Sequence, residues 1–133
     1  MSTKARILII DDDADYRAST RALLEGEGYE VLEGPSGREG LAALRAHKPD
    51  LVVLDIMMES PVEGYSVIQA LKLHEEYKDV ASIPVIMVSS VQQDPATLFP
   101  MSDGAEVITP DAYFTKPLDI PTFLECARRT LDR

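Results

Sequence analysis

The stretch Leu51-Val52-Val53-Leu54-Asp55 sets four apolar residues directly before one carboxylate. A short, unbroken run of valine and leucine reads as a strand buried on both faces, of the kind found inside a parallel sheet. Open α/β sheets bind ligands at the carboxyl ends of their strands. Asp55 therefore stands where chemistry is expected. Outward toward the N-terminus, Arg6-Ile7-Leu8-Ile9-Ile10 is a second such run, and it ends in Asp11-Asp12-Asp13. Three adjacent carboxylates repel one another unless a cation or donor compensates them. A bare acidic run is usually a solvated turn, but this one has the same placement as Asp55.

The segments between and beyond these strands alternate in type. Asp13 can cap a helix containing Tyr16, Thr20, Leu23, Leu24 and Glu27, with Gly26 and Gly28 at its end. Tyr29–Glu33 reads as an edge strand, and Gly34-Pro35 turns the chain. Ser36 and Glu39 form a capping box for a second helix, with Leu41 and Leu44 inward and an end near His47. The order β-α-β-α-β implies right-handed parallel crossovers. On the other side of Asp55, a loop leads to a helix from Tyr65 to about Leu73, with Val67, Ile68 and Leu71 inward. Polar His74–Ser82 is predicted to fray. A fourth strand, Ile83–Val88, opens with Pro84 and ends in Ser89-Ser90. Asp94-Pro95 starts a helix that Pro100 shortens or kinks. A loop is expected from Gly104 to Ala112, then a brief strand Tyr113–Thr115, followed by Lys116-Pro117. Asp119 caps the last helix, Pro121 lies in its first turn, and Ile120, Phe123, Leu124, Ala127 and Leu131 form its apolar stripe.

Bulk properties narrow the function. The 133 residues make one expected domain, 1–133, with its core over about 6–131. A formal net charge of −10, from 13 basic and 23 acidic residues, argues against direct nucleic-acid binding and against an anionic membrane surface. One cysteine, Cys126, allows no internal disulfide and suggests a cytoplasmic, reducing compartment. Cys126 sits beside the apolar stripe and reads as structural. No apolar run approaches the roughly 20 residues of a membrane span.

The strand ends share one rim of a parallel sheet. They bring Asp11 and Asp12, Asp55, Ser89 and Lys116 to it. Converging carboxylates call for a hard cation, and a partly hydrated oxygen site suits Mg²⁺. A lysine and a hydroxyl beside that cation suit a phosphoryl group. A carboxylate nucleophile, a metal site and oxygen-stabilising donors are the parts of phosphoryl transfer.

From about Arg6 to about Leu131 the chain resembles the receiver domain of two-component response regulators, chemotaxis-regulator-like in form. Ile9-Ile10-Asp11-Asp12, Val53-Leu54-Asp55, Val88-Ser89-Ser90, Gly104-Ala105 and Tyr113-Phe114-Thr115-Lys116-Pro117 carry the likeness. Each piece alone is weak, but their order on successive strand ends is specific. The resemblance implies a flavodoxin-like, doubly wound five-stranded parallel sheet of order 2-1-3-4-5, with helices on both faces. It implies that Asp55 accepts a phosphoryl group from a histidine kinase or a histidine phosphotransfer protein. Asp12 would hold Mg²⁺ directly, Asp11 largely through water, and Met57 through its backbone carbonyl. Lys116 would pair with the carboxylate and then a phosphoryl oxygen. Ser89 would move to the phosphoryl group, Tyr113 would turn inward as the aromatic switch, and Ser90 would leave room. Pro117 would follow a cis peptide bond. Such a domain catalyses its own phosphotransfer and autodephosphorylation and signals to a downstream protein. A homodimer is compatible with it.

Departures from the family pattern lie in two places. Met58-Glu59-Ser60-Pro61 replaces a close methionine-proline pair, with Gly64 one residue late, and seven residues separate Ala105 from Tyr113. Met57 and Val91, two positions past Asp55 and Ser89, would flank the path of an attacking water. Apolar side chains there predict slow loss of phosphate. Plainer readings exist for several residues. Asp13 reads as a cap, His47 and His74 as surface residues, and Tyr113 as core filling without its neighbours. The competing functions are a phosphorylation-independent interaction module of the same fold, a haloacid-dehalogenase-type phosphatase and a flavin binder. The phosphatase needs a second aspartate where Met57 stands. The flavin binder needs a phosphate loop where the chain has carboxylates. A stand-alone receiver, a phosphorelay intermediate and a piece of a longer protein remain equivalent at this level.

Overall fold

Alternation within the apolar runs builds both sides of the molecule. Residues 5–55, 67, 70, 75–80, 82–89, 112–115 and 119–132 are described by the structure, a computed structural model. Five parallel strands, β1 (Arg6–Ile10), β2 (Glu30–Gly34), β3 (Leu51–Asp55), β4 (Val85–Ser89) and β5 (Ala112–Thr115), form one sheet of order β2-β1-β3-β4-β5. Successive strand residues point to opposite faces. Leu8, Ile10, Val52, Leu54, Val85 and Met87 therefore enter one core layer, while Ile7, Ile9, Leu51, Val53, Ile86 and Val88 enter the other. Unbroken apolar sequence is what a strand covered on both faces requires. The fold is flavodoxin-like, as expected.

Helices cover each face. α1 (Ala14–Gly26) and α3 (Ile120–Leu131) supply Leu24, Phe123 and Ala127 to one layer. α2 (Gly37–His47) supplies Leu44 to the other, joined by buried Val67 and by Val80 from a 3₁₀ turn, Glu75–Val80. The caps of α1 and α2 behave as the sequence predicts. The Asp13 side chain accepts from the backbone N–H groups of Asp15 and Tyr16, and Ser36 accepts from that of Glu39. Gly28 takes a positive φ of 94° just past α1, a conformation glycine adopts without penalty.

Several boundaries and faces differ from expectation. β2 begins and ends one residue later than predicted, because its register pairs Gly34 with Ile10. β4 starts at Val85 instead of Ile83. Pro84 has no N–H to give the ladder, though its carbonyl accepts from Val52 at 3.0 Å. Ala112 belongs to β5, paired with Ile86, and not to the preceding loop. Part of the polar stretch expected to fray, Glu75–Val80, is the ordered 3₁₀ turn; Arg45 lies over the Tyr77 ring at 5.5 Å. Ile120 is 43% exposed, so the apolar stripe of the last helix begins at Phe123. Asp119 occupies the N-cap position of α3, but its carboxylate accepts from the Thr122 hydroxyl and caps no backbone N–H. The expected inward residues Ile68 and Leu71, the helix after Asp94-Pro95 and the loop around Gly104 lie outside the described residues.

One close approach escaped the sequence reading. A Cβ on Gly34 would lie 2.6 Å from the Gly40 Cα, and one on Gly40 would lie 2.6 Å from Ile10 Cδ1. Both glycines are buried. Their missing side chains let α2 descend onto the ends of β1 and β2, beside the acidic edge.

Candidate functional site

Strand register brings the carboxylates together. Ile10 pairs with Leu54, so Asp11 and Asp55, the next residues of adjacent strands, lie side by side at the carboxyl edge. Asp11 is 2% and Asp55 4% exposed, whereas Asp12 faces solvent. One oxygen from each of Asp11, Asp12 and Asp55 lies within 4.8 Å of the others. Two buried carboxylates so close together are costly without a compensating charge. The all-oxygen donor set, with one exposed member, fits a hard divalent cation that keeps part of its water.

The turn carrying Asp11 and Asp12 is tightly bonded. The Asp11 N–H donates to the Gly34 carbonyl at 3.1 Å, and Asp11 Oδ1 accepts from the Asp13 N–H at 2.9 Å. Arg17 Nη1 donates to the Asp11 carbonyl at 2.6 Å. Asp13 is thus a cap that also orients a neighbour's carboxylate. Tyr16, in the first turn of α1, carries a buried hydroxyl oxygen. Burial, followed by the nearby charges of Asp11 and Asp55, pushes its phenol up to about 12, while Thr20 one turn on acts the other way.

The geometry is that of a known signalling fold. The response regulator receiver domain family matches residues 7–128. The chain belongs to the receiver domain family. It is 34% identical over 127 residues to Protein PilH of Pseudomonas aeruginosa, covering 96% of this chain and 98% of that one. It is 36% identical over 128 residues to the DNA-binding dual master transcriptional regulator RpaA of Synechocystis, covering 96% of this chain but 49% of that protein. A CheY-like receiver domain from Methanospirillum hungatei superposes with a TM-score of 0.75 at 32% identity, covering 98% of this chain and 95% of the other. The receiver therefore spans nearly all of one relative and about half of another.

Of the residues singled out in the sequence, the receiver's Asp11, Asp12 and Asp55 are brought to one point. Ser89 is the last residue of β4 and pairs with Thr115, so the backbone places it at the same edge. Tyr113 lies in β5, paired with Met87. The side chains of Ser89 and Tyr113, and all of Met57, Ser90, Val91, Lys116 and Pro117, lie outside the described residues. Two site neighbours were missed. Tyr16 was counted only for its helical spacing, and Arg17 not at all. One turn of helix separates Arg17 from its cap Asp13, so an arginine there can reach back to the strand end; that spacing was the available signal. Among the described residues, no helix is long and apolar enough to cross a membrane.

Proposed function

We propose that this receiver domain accepts a phosphoryl group on Asp55 from a phosphohistidine of a partner kinase or phosphotransfer protein. The observation that carries the reading is the buried Asp55 carboxylate within 4.8 Å of oxygens from Asp11 and Asp12. In the transfer a carboxylate oxygen of Asp55 attacks phosphorus, the P–N bond breaks, and its electron pair stays on the imidazole, which takes up a proton. Asp11 and Asp12 are the side chains that would hold Mg²⁺, with Asp55 beside them. The bound ion would neutralise negative charge on the phosphoryl oxygens. Asp11 is held by its bonds to Gly34, Asp13 and Arg17, so the fold itself positions one of the ligands. Lys116, Ser89 and Tyr113 are assigned the donor and switch roles that the resemblance to the receiver family implies. The new charge and acceptor oxygens on Asp55 then favour one of two conformations, and a downstream protein binds that one.

Intact mass after incubation with acetyl phosphate and Mg²⁺ tests the proposal. One added phosphoryl group is expected, lost with a chelator and in Asp55→Asn. A folded protein that gains nothing from acetyl phosphate or from a histidine phosphodonor would support the phosphorylation-independent interaction module. Phosphate lifetime provides a second test. Met57→Asn with Val91→Glu should accelerate its loss, and an unchanged decay rate would remove those two positions from the water path.

A further inference from the structure

We infer that Arg17 is a positioning residue for the cation site, acting on Asp12 through the Asp11 peptide. The inference rests on the proposed cation site and adds a residue to it. The carbonyl that Arg17 holds belongs to the planar peptide unit leading into Asp12. Rotation of that plane would swing the Asp12 backbone and carry its exposed carboxylate with it. The same peptide chain is clamped from the other side, since the Asp11 N–H donates to Gly34 at the end of β2. Arg17 is itself fixed to that strand, its Nε donating to Glu33 Oε1 at 2.9 Å. With 15% of its side chain exposed, the guanidinium spans from β2 to the acidic turn in one fixed geometry.

Charge balance shows why an arginine can sit there without acting as a rival to the cation. Glu33 also accepts from Arg21 at 2.6 Å, and Arg21 donates to Glu25 at 3.1 Å. Two guanidiniums thus face two carboxylates, and the network is neutral. It constrains the turn while the negative charge of Asp11, Asp12 and Asp55 stays available to an ion. Arg17 and Arg21 share Glu33, yet only Arg17 has a bond to the Asp11 carbonyl. That difference makes Arg21 the natural control.

Mg²⁺ affinity of the whole chain, measured by isothermal titration calorimetry without any phosphodonor, tests the role. Arg17→Lys keeps the charge but loses the fork that reaches Glu33 and Asp11 together. It should bind Mg²⁺ about tenfold more weakly, the low end of what loss of an outer-shell partner does to a metal site. Arg21→Lys should leave the affinity unchanged. Arg17→Gln separates positioning from charge: simple Coulomb attraction predicts tighter Mg²⁺ binding when a positive group is removed, whereas positioning predicts weaker binding. Equal losses in Arg17→Lys and Arg21→Lys, or tighter binding by Arg17→Gln, would overturn the inference. Wild-type protein that binds no Mg²⁺, with Asp12→Asn giving the same flat titration, would instead sink the cation site and the inference with it.

Discussion

Two charge networks in this molecule use the same residue types to different ends. On the α1–β2 side, Arg17 and Arg21 converge on Glu33 from a different element, with Glu33 28% exposed. On α3, Glu125 pairs with Arg128 and Arg129, and Arg128 with Asp132 at the helix's C-cap, all within one helix and its end and turned to solvent. The first network joins a helix to an edge strand and ends on the backbone of the acidic turn. The second decorates a helix that is anchored elsewhere, by Phe123 and Ala127 in the core and by an edge-to-face contact between Phe123 and Phe114 with centroids 5.9 Å apart. An ion pair matters to architecture when it connects elements, and adds little when both partners already belong to one exposed helix turn.

The largest expected effect comes from removing the apolar anchor of α3. Phe123→Ala should cost about 3–5 kcal/mol in urea unfolding, through lost burial and an unfilled cavity. A loss below about 1 kcal/mol would mean that the surface pairs hold α3 after all. Next comes the packing that sets β2 against α2. Gly34→Ala should cost about 1–3 kcal/mol, because the added methyl meets backbone that cannot move aside locally. The same substitution should disturb the Asp11 N–H bond to Gly34, seen as a shifted Asp11 amide signal in an NMR spectrum.

The smallest effects separate the two networks directly. Hydrogen bonds from Arg21 and Arg17 hold the Glu33 carboxyl below its ordinary value. A carboxylate with a lowered folded-state pKa stabilises the fold above its unfolded value, and that contribution disappears as pH falls through the folded value. Wild type should therefore exceed Glu33→Gln by about 1 kcal/mol near neutral pH, with the gap closing as the medium is taken below about pH 4. Glu125 is also held low, by Arg128 first. The pair lies within one stretch of chain and faces solvent, with the Glu125 side chain 44% and that of Arg128 56% exposed, so water screens it and Glu125→Gln should melt like wild type across the same range, and more so with added salt. A gap at Glu125 equal to that at Glu33 would erase the distinction drawn between the networks.

Much of this architecture was legible before any coordinates. The runs Ile7–Ile10 and Leu51–Leu54 announced central strands because burial on both faces leaves no polar position. Asp13 and Ser36 announced helix starts because a cap satisfies backbone donors only two or three residues away. The acidic ends of the first and third strands pointed to the site, since parallel strands expose their carboxyl ends on one edge. Ile120 misled because helical period alone does not say which turns of a helix the neighbouring elements cover, and the first turn of α3 leaves it 43% exposed. Arg17 was only half legible: the Asp11 carbonyl lies six residues back and within reach of the helix start, but Glu33 meets it only after β2 has docked on β1.

The amino-acid sequence by itself determined the strands, the caps of the first two helices, the parallel order of elements and the identity of the acidic cluster. These follow from periodicity and from contacts within a turn of the chain. Only the tertiary structure decided that Asp11 and Asp55 lie at the same height, that Gly34 and Gly40 touch, and that Arg17 joins Glu33 of β2 to the peptide leading to Asp12. Each of those depends on strand register and helix descent. Both are set by how the two core layers fill, and no local segment carries that information alone.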